Sequence, residues 1–184
     1  MISALQHLKY KSKKYNVALP DLTKIKMILM DLDGCLTTGH LIYFTGDGDN
    51  HIRDAKVFHT HDGFGIARGV ELGMKFAVIS GKSSPVNKMR TDKLGIHHLY
   101  ENIPDKLVPF EEIKEMYGFT NDEFAYIGDD EFDIPLLKEV GFSACPESAV
   151  EEVKKHVHYV CKLRGGYGAV REFVDVILRE QKLI

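Results

Sequence analysis

The chain has 184 residues, no tryptophan and only three cysteines. Cys35, Cys145 and Cys161 form no CxxC or CxxxC pair. That spacing suggests neither a zinc knuckle nor a disulfide framework. No apolar run approaches the roughly 20 residues of a membrane span, and the N-terminus has no apolar stretch of signal-peptide length. Positive charge is not in excess: the net charge is −3, whereas a nucleic-acid binder usually shows a basic footprint. A reduced, cytoplasmic protein with neither nucleic-acid nor membrane partners is expected. What is there is ordinary for a globular chain, 44% hydrophobic and 28% charged residues. The length fits one domain. Charge is uneven, because residues 1–24 hold five lysines against Asp21. This reads as a basic N-terminal extension ahead of a single domain over 25–184.

Along the chain, short apolar runs alternate with amphipathic stretches. Ile25–Met30 ends in Asp-Leu-Asp-Gly, as suits a strand buried on both faces. Leu41–Phe44 and Ala55–Phe58 flank the turn-rich Thr45-Gly46-Asp47-Gly48-Asp49-Asn50, which predicts a β-hairpin flap over 41–58. Strands are predicted at 75–79, 98–100, 123–127, 142–145 and 157–161. Helices are predicted at 63–72, 84–94, 106–117, 134–140, 148–155 and 167–180, several closed by a glycine. Pro109 is expected to confine the regular part of its helix to the later turns. The alternation implies an α/β fold, a Rossmann-like parallel sheet with helices on both faces.

Ligands of such sheets bind outside the carboxyl ends of the strands, and the polar signals fall there. Asp31 and Asp33 follow the first strand, Ser80 and Gly81 the second, and Asp129 and Asp130 the strand ending at Ile127; Lys106 opens a helix. Carboxylates gathered near one point repel each other unless a cation sits among them, and all-oxygen ligation suits Mg2+. Lysine, hydroxyl and backbone N–H groups supply positive ends for an anion. Metal, lysine and hydroxyl together describe a phosphoryl site. An aspartate can attack phosphorus without a base to activate it, and Asp33, two residues on, is close enough to serve as the acid.

The motifs Asp31-Leu32-Asp33-Gly34-Cys35-Leu36-Thr37, Ile79-Ser80-Gly81, Lys106 and Gly128-Asp129-Asp130-Glu131-Phe132-Asp133 resemble the four ordered motifs of the haloacid dehalogenase superfamily. Lys56-Val57-Phe58-His59-Thr60-His61-Asp62-Gly63-Phe64-Gly65-Ile66 and Gly165-Gly166-Tyr167-Gly168-Ala169-Val170-Arg171-Glu172-Phe173 are similar to its 3-deoxy-D-manno-octulosonate 8-phosphate phosphatase subfamily. The resemblance implies a Mg2+-dependent phosphatase of an ulosonate sugar phosphate. Asp31 would be the phosphorylated nucleophile and Asp33 the acid, then the base. Ser80, Gly81 and Lys106 would hold the phosphoryl group. Asp31, Asp33 (through its carbonyl) and Asp129 would hold the metal. Asp130 or Asp133 would orient that shell, with Asp133 a partner for Lys106.

Two departures bear on the substrate. His61 stands where the octulosonate enzymes commonly have arginine, and Arg164 precedes the double glycine as in a nine-carbon sugar phosphatase branch. Lys82 occupies a place that tends to be cationic in the octulosonate enzymes. Lys82, His61 and Arg164 are therefore the candidate substrate contacts. His59 and His61 are expected to point the same way on a strand leading to the site, and Cys35 to be a buried small residue. The intervals from Asp33 to Ser80 and from Ser80 to Lys106 leave no room for a cap domain of the usual 50 residues or more. The open site would be covered by flaps packed together in a homotetramer. A catalytically silent assembly domain is the alternative of another class, and retention of Asp31, Asp33, Lys106 and Asp129 speaks against it.

Overall fold

The structure, a computed structural model, describes residues 20–45 and 52–184. Most of the basic extension and the Gly46–Asn50 turn lie outside them. Six strands form one parallel sheet: β1 (Met27–Met30), β4 (Lys75–Ile79), β5 (His98–Tyr100), β6 (Phe124–Ile127), β7 (Phe142–Cys145) and β8 (Tyr159–Val160). Their spatial order is β5-β4-β1-β6-β7-β8. The chain thus winds outward from β1 in one direction, returns to the centre, and winds outward in the other. The reversal opens a crevice at the carboxyl ends of β1 and β6, where doubly wound sheets bind ligands.

The central strands are apolar on both faces because both faces are covered. Successive side chains alternate. Ile28 and Met30 pack with Phe76, Val78, Phe173 and Ile177 on one side. Met27 and Leu29 pack with Ile79, Phe110, Ile113 and Leu136 on the other. The first layer is built by α1 (Thr60–Glu71) and α6 (Ala169–Glu180); the second includes α3 (Leu107–Tyr117) and α4 (Ile134–Glu139). Helices α2 (Pro85–Leu94) and α5 (Glu151–Lys154) complete the set among the described residues. Ser84 caps α2 through the Val86 N–H, and Gly95, in the left-handed region, closes it.

The hairpin is β2 (Ile42–Thr45) and β3 (Ile52–Ala55), antiparallel, with Ile42 opposite Ala55. Its second arm therefore lies earlier than the apolar run at 55–58 suggested. An exposed ribbon tolerates Arg53 and Asp54, so no apolar run marks it. An isolated bridge between Thr37 and Phe58 ties its base to the loop after β1. No further domain interrupts the described residues.

Three other expectations are corrected. Helix α1 begins at Thr60, with His59 as its N-cap accepting from the His61 N–H. His59 and His61 therefore do not share a strand. Pro109 sits in the first turn of α3, whose backbone N–H groups have no intrahelical partner anyway, so α3 is regular from its start. The segment 148–155 yields only the four residues of α5.

Candidate active site

Asp31 directly follows β1 and is 2% exposed. Its backbone N–H donates to the Ile127 carbonyl at 2.9 Å, which joins the ends of β1 and β6. The chain then makes one wide turn over Leu32–Leu36. Gly34 holds φ +99° there, and a Cβ at that position would stand 2.0 Å from Asp129 Oδ2. Only glycine permits both that conformation and that contact. The turn is backed by the loop before α6: a Cβ on Gly165 would lie 1.6 Å from the Gly34 carbonyl oxygen, and the Gly166 N–H donates to the Cys35 carbonyl at 2.9 Å. The glycines at 165 and 166 let two stretches of this chain's own backbone touch.

Lys106, just before α3, is 2% exposed. Its ammonium donates to Asp31 Oδ1 at 2.5 Å, Asp133 Oδ1 at 2.6 Å and the Tyr126 hydroxyl at 3.0 Å. The three donors of a lysine are thereby engaged. Asp133 is fully buried. Its Oδ1 also accepts from the Tyr126 hydroxyl at 2.5 Å, and its Oδ2 accepts the backbone N–H groups of Asp129 at 2.8 Å and Asp130 at 3.1 Å. Asp133 thus holds the Asp129 loop and Lys106 together. Asp130 is exposed and caps the Glu131 N–H. Of Asp130 and Asp133, it is Asp133 that bonds the Asp129 backbone and Lys106.

Burial pushes the Asp31 carboxyl up to about 7, against the pull of Lys106 and with the push of Asp133. Burial likewise lifts Asp129 to about 8, and the Asp31 and Asp133 charges add to it. Burial opposes the Lys106 ammonium, but the Asp31 and Asp133 carboxylates outweigh it and the net shift is upward. One side of Asp31 is therefore neutralised by Lys106. On the other side, Asp31 Oδ2 is buried with no hydrogen-bond partner among the described residues. Donor atoms of Asp31, Asp129 and Cys35, one from each, lie within 4.8 Å of one another. An orphaned carboxylate oxygen beside a second carboxylate fits a hard divalent cation. The Cys35 thiol is the soft member of the group; it is buried and donates to Asp129 Oδ1 at 3.6 Å. As expected, it is a small buried residue.

A family of haloacid dehalogenase-like hydrolases matches residues 72–172. The chain is 36% identical over 157 residues to the 3-deoxy-D-manno-octulosonate 8-phosphate phosphatase of Yersinia pestis, covering 85% of this chain and 81% of that protein. The chain belongs to the haloacid dehalogenase-like hydrolases. Solved structures of two relatives superpose on this hydrolase fold. One is the octulosonate 8-phosphate phosphatase of Moraxella catarrhalis, in complex with magnesium ion, phosphate ion and KDO (31% identity, TM-score 0.83, 93% of each chain). The other is the cobalt-bound enzyme of Haemophilus influenzae (34% identity, TM-score 0.79, 88% of this chain and 92% of that one).

Within this hydrolase, the cluster gathers Asp31, Lys106, Asp129 and Asp133. Asp33 lies beside it, with Oδ1 accepting from the Thr37 hydroxyl at 3.2 Å. Ser80 is buried at the end of β4; its hydroxyl donates to the Lys82 carbonyl at 2.9 Å and accepts the Lys82 N–H at 3.2 Å. Asn87 also holds that carbonyl, at 3.2 Å. A Cβ on Gly81 would make ordinary contact, 3.8 Å from the Ile103 carbonyl oxygen. Lys82, His61 and Arg164 are exposed, and among the described residues none bonds a member of the carboxylate cluster. The Arg164 side chain is 68% exposed, 3.9 Å from Glu147.

Two further side chains complete the site. Tyr126 reads as one more apolar position of a buried strand, yet its hydroxyl bonds both Lys106 and Asp133. Lys56 pairs with Asp33 through both carboxylate oxygens, at 2.9 and 2.8 Å. It opens the 56–66 segment that resembles the octulosonate phosphatase subfamily. Asp62, in the same segment, is buried and accepts the N–H groups of Gly168 at 3.1 Å and Arg171 at 2.8 Å. It anchors the start of α6 to α1.

Proposed function

We propose that this hydrolase is a Mg2+-dependent phosphomonoesterase that acts on an ulosonate sugar phosphate, 3-deoxy-D-manno-octulosonate 8-phosphate first among them. The observation that carries the reading is the pairing of a lysine-neutralised oxygen and an orphaned buried oxygen on one aspartate, Asp31. The relatives' substrates supply the sugar.

An oxygen of Asp31 attacks phosphorus and the ester P–O bond breaks. Asp33 gives its proton to the departing sugar oxygen. Water then attacks the phosphorus of the aspartyl phosphate and Asp33 takes a proton from it, so Asp31 is regenerated and inorganic phosphate leaves. Lys106 counters charge on the Asp31 side, and Ser80 and Gly81, after β4, are the proposed donors to the phosphoryl oxygens. Asp31, Asp129 and the Asp33 carbonyl would hold Mg2+, which supplies positive charge for two crowded carboxylates and for the phosphoryl oxygens. Lys82, His61 and Arg164 are the proposed contacts to the sugar and its carboxylate.

Strand β2 is exposed along its whole length, with Ile42, Tyr43 and Phe44 open to solvent, and Leu41 beside it. A two-stranded ribbon is marginal alone. Packing of these ribbons in a homotetramer would cover them and the site. Three buried cysteines that form no disulfide suit a reducing, cytoplasmic setting. No described helix is long and apolar enough to cross a membrane.

The test is phosphate release across sugar phosphates, the eight- and nine-carbon ulosonate phosphates included, with Asp31→Asn beside the wild type. Activity is expected on an ulosonate phosphate, abolished by excess EDTA and by Asp31→Asn. Turnover that survives either treatment, or a preference for sugars lacking the carboxylate, defeats the reading.

A further inference from the structure

We propose that Lys56 is a positioning residue that fixes the Asp33 carboxylate for proton transfer and ties it to the base of the hairpin. The inference rests on the reading of Asp33 as the acid and base of a phosphatase.

Lys56 follows β3 directly. Its side chain is 6% exposed and that of Asp33 25%. An exposed ion pair of this kind would contribute little. A nearly buried ammonium needs a partner, and both of its bonds go to Asp33. Two free torsions let an aspartate carboxylate swing. Lys56 grips both of its oxygens and the Thr37 hydroxyl bonds one, so the group is held from two sides. The grip depends on the hairpin base. The Thr37–Phe58 bridge and the Thr38 N–H to Val57 carbonyl bond, 3.3 Å, clamp the residues after Lys56 against the loop that carries Asp33. Hairpin placement and acid placement are thereby one structural variable.

Lys56 also lines a cavity of about 210 Å3 between the hairpin and the Lys82–Ser83 turn. It could act through Asp33 or touch the ester itself, and a double-mutant cycle separates the two. Wild type, Lys56→Met, Lys56→Arg, Asp33→Asn and the Lys56→Met/Asp33→Asn double variant are compared on the octulosonate phosphate and on p-nitrophenyl phosphate. Methionine keeps the apolar stem, so folding is preserved. If Lys56 acts through Asp33, Lys56→Met lowers kcat about 10–100-fold, within the span of general acid–base effects, and KM stays within about twofold. Lys56→Arg recovers most of the loss. In the Asp33→Asn background the Lys56 change costs less than about twofold. With p-nitrophenyl phosphate, whose leaving group needs no proton, the quenched variant accumulates phosphoenzyme because the base of the second step is misplaced. A loss carried mainly by KM, or an equal loss with and without the Asp33 carboxylate, assigns Lys56 to the ester and overturns the inference alone. A wild type that releases no phosphate overturns it together with the proposed function.

Discussion

Replacing Asp133 by asparagine swaps one carboxylate oxygen for an NH2 group and changes almost nothing in volume. The carboxylate accepts four donors: the Lys106 ammonium, the Tyr126 hydroxyl and the N–H groups of Asp129 and Asp130. An amide has one acceptor oxygen, so in either orientation two of the four donors face an NH2 group. A buried donor left without a partner costs about 1–3 kcal/mol. Asp129 is only half-buried and Asp130 exposed, so the total falls near the lower end, about 2–4 kcal/mol for the pair. At this chain length each kcal/mol lowers Tm by about 2–4 °C, which gives a fall of about 5–15 °C. The same change releases the Asp129 loop and leaves Lys106 with Asp31 as its remaining anion, so kcat/KM should drop about 100-fold or more, equivalent to about 3 kcal/mol. Scanning calorimetry and phosphate release read the two effects. Asp130→Asn is the control: it touches one exposed cap and should shift stability by less than about 1 kcal/mol. An Asp133→Asn protein with Tm within about 1 °C and kcat/KM within twofold of wild type would refute the central place given to that carboxylate.

Gly165→Ala pushes a methyl group into the Gly34 carbonyl. Backbone on backbone cannot yield as a side chain does, so a loss of at least about 3 kcal/mol is expected, with activity falling alongside. Gly81→Ala meets only ordinary contact and should unfold at the wild-type midpoint in urea; matching midpoints for both variants would show that the two loops do not meet. Metal-free protein holds the Asp31 and Asp129 carboxyls above their unfolded values, at about 7 and about 8. The native state then binds more protons than the unfolded chain between about pH 4 and 8, so stability without metal should fall as pH rises through that window. For the same reason Mg2+ binding should release protons below about pH 8 and strengthen towards it. Calorimetric titrations in buffers of different ionisation enthalpy that detect no proton release between pH 6 and 8 would contradict the shifted carboxyls.

Much of the centre was legible because a buried parallel strand declares itself twice. The run Ile25–Met30 is apolar without alternation, and a turn rich in aspartate and glycine must follow where the strand meets water. The same double signal marks β4 and β6, so the convergence of Asp31, Ser80 and Asp129 on one edge could be read without coordinates. The hairpin could be read only in part. β3 has neither apolar run nor alternation, since its faces are not both packed, and its register comes from pairing with β2. Lys56 opens a segment that resembles the subfamily, but its role could not be read for the same reason: the lysine acquires meaning only when a non-local bridge brings it over Asp33. The choice between Asp130 and Asp133 also needed geometry. Both lie within one turn, and only the direction of each side chain separates a buried clamp from an exposed cap. His59 and His61 were misplaced because a helix that starts with histidine and threonine carries weak start signals.

The contact between Gly165 and Gly34 also orders events during synthesis. The strand that leads to Asp31 is made long before the loop that backs its turn. At about 5–20 residues added per second, that gap is on the order of ten seconds. Through it a growing chain carries its carboxylates on a turn that nothing yet buttresses, and Asp62 waits for the helix whose amides it will cap. The site is therefore backed only once residues 165–171 are made, and a product shortened before them would keep every aspartate and lysine of the site without the surface that holds them in register.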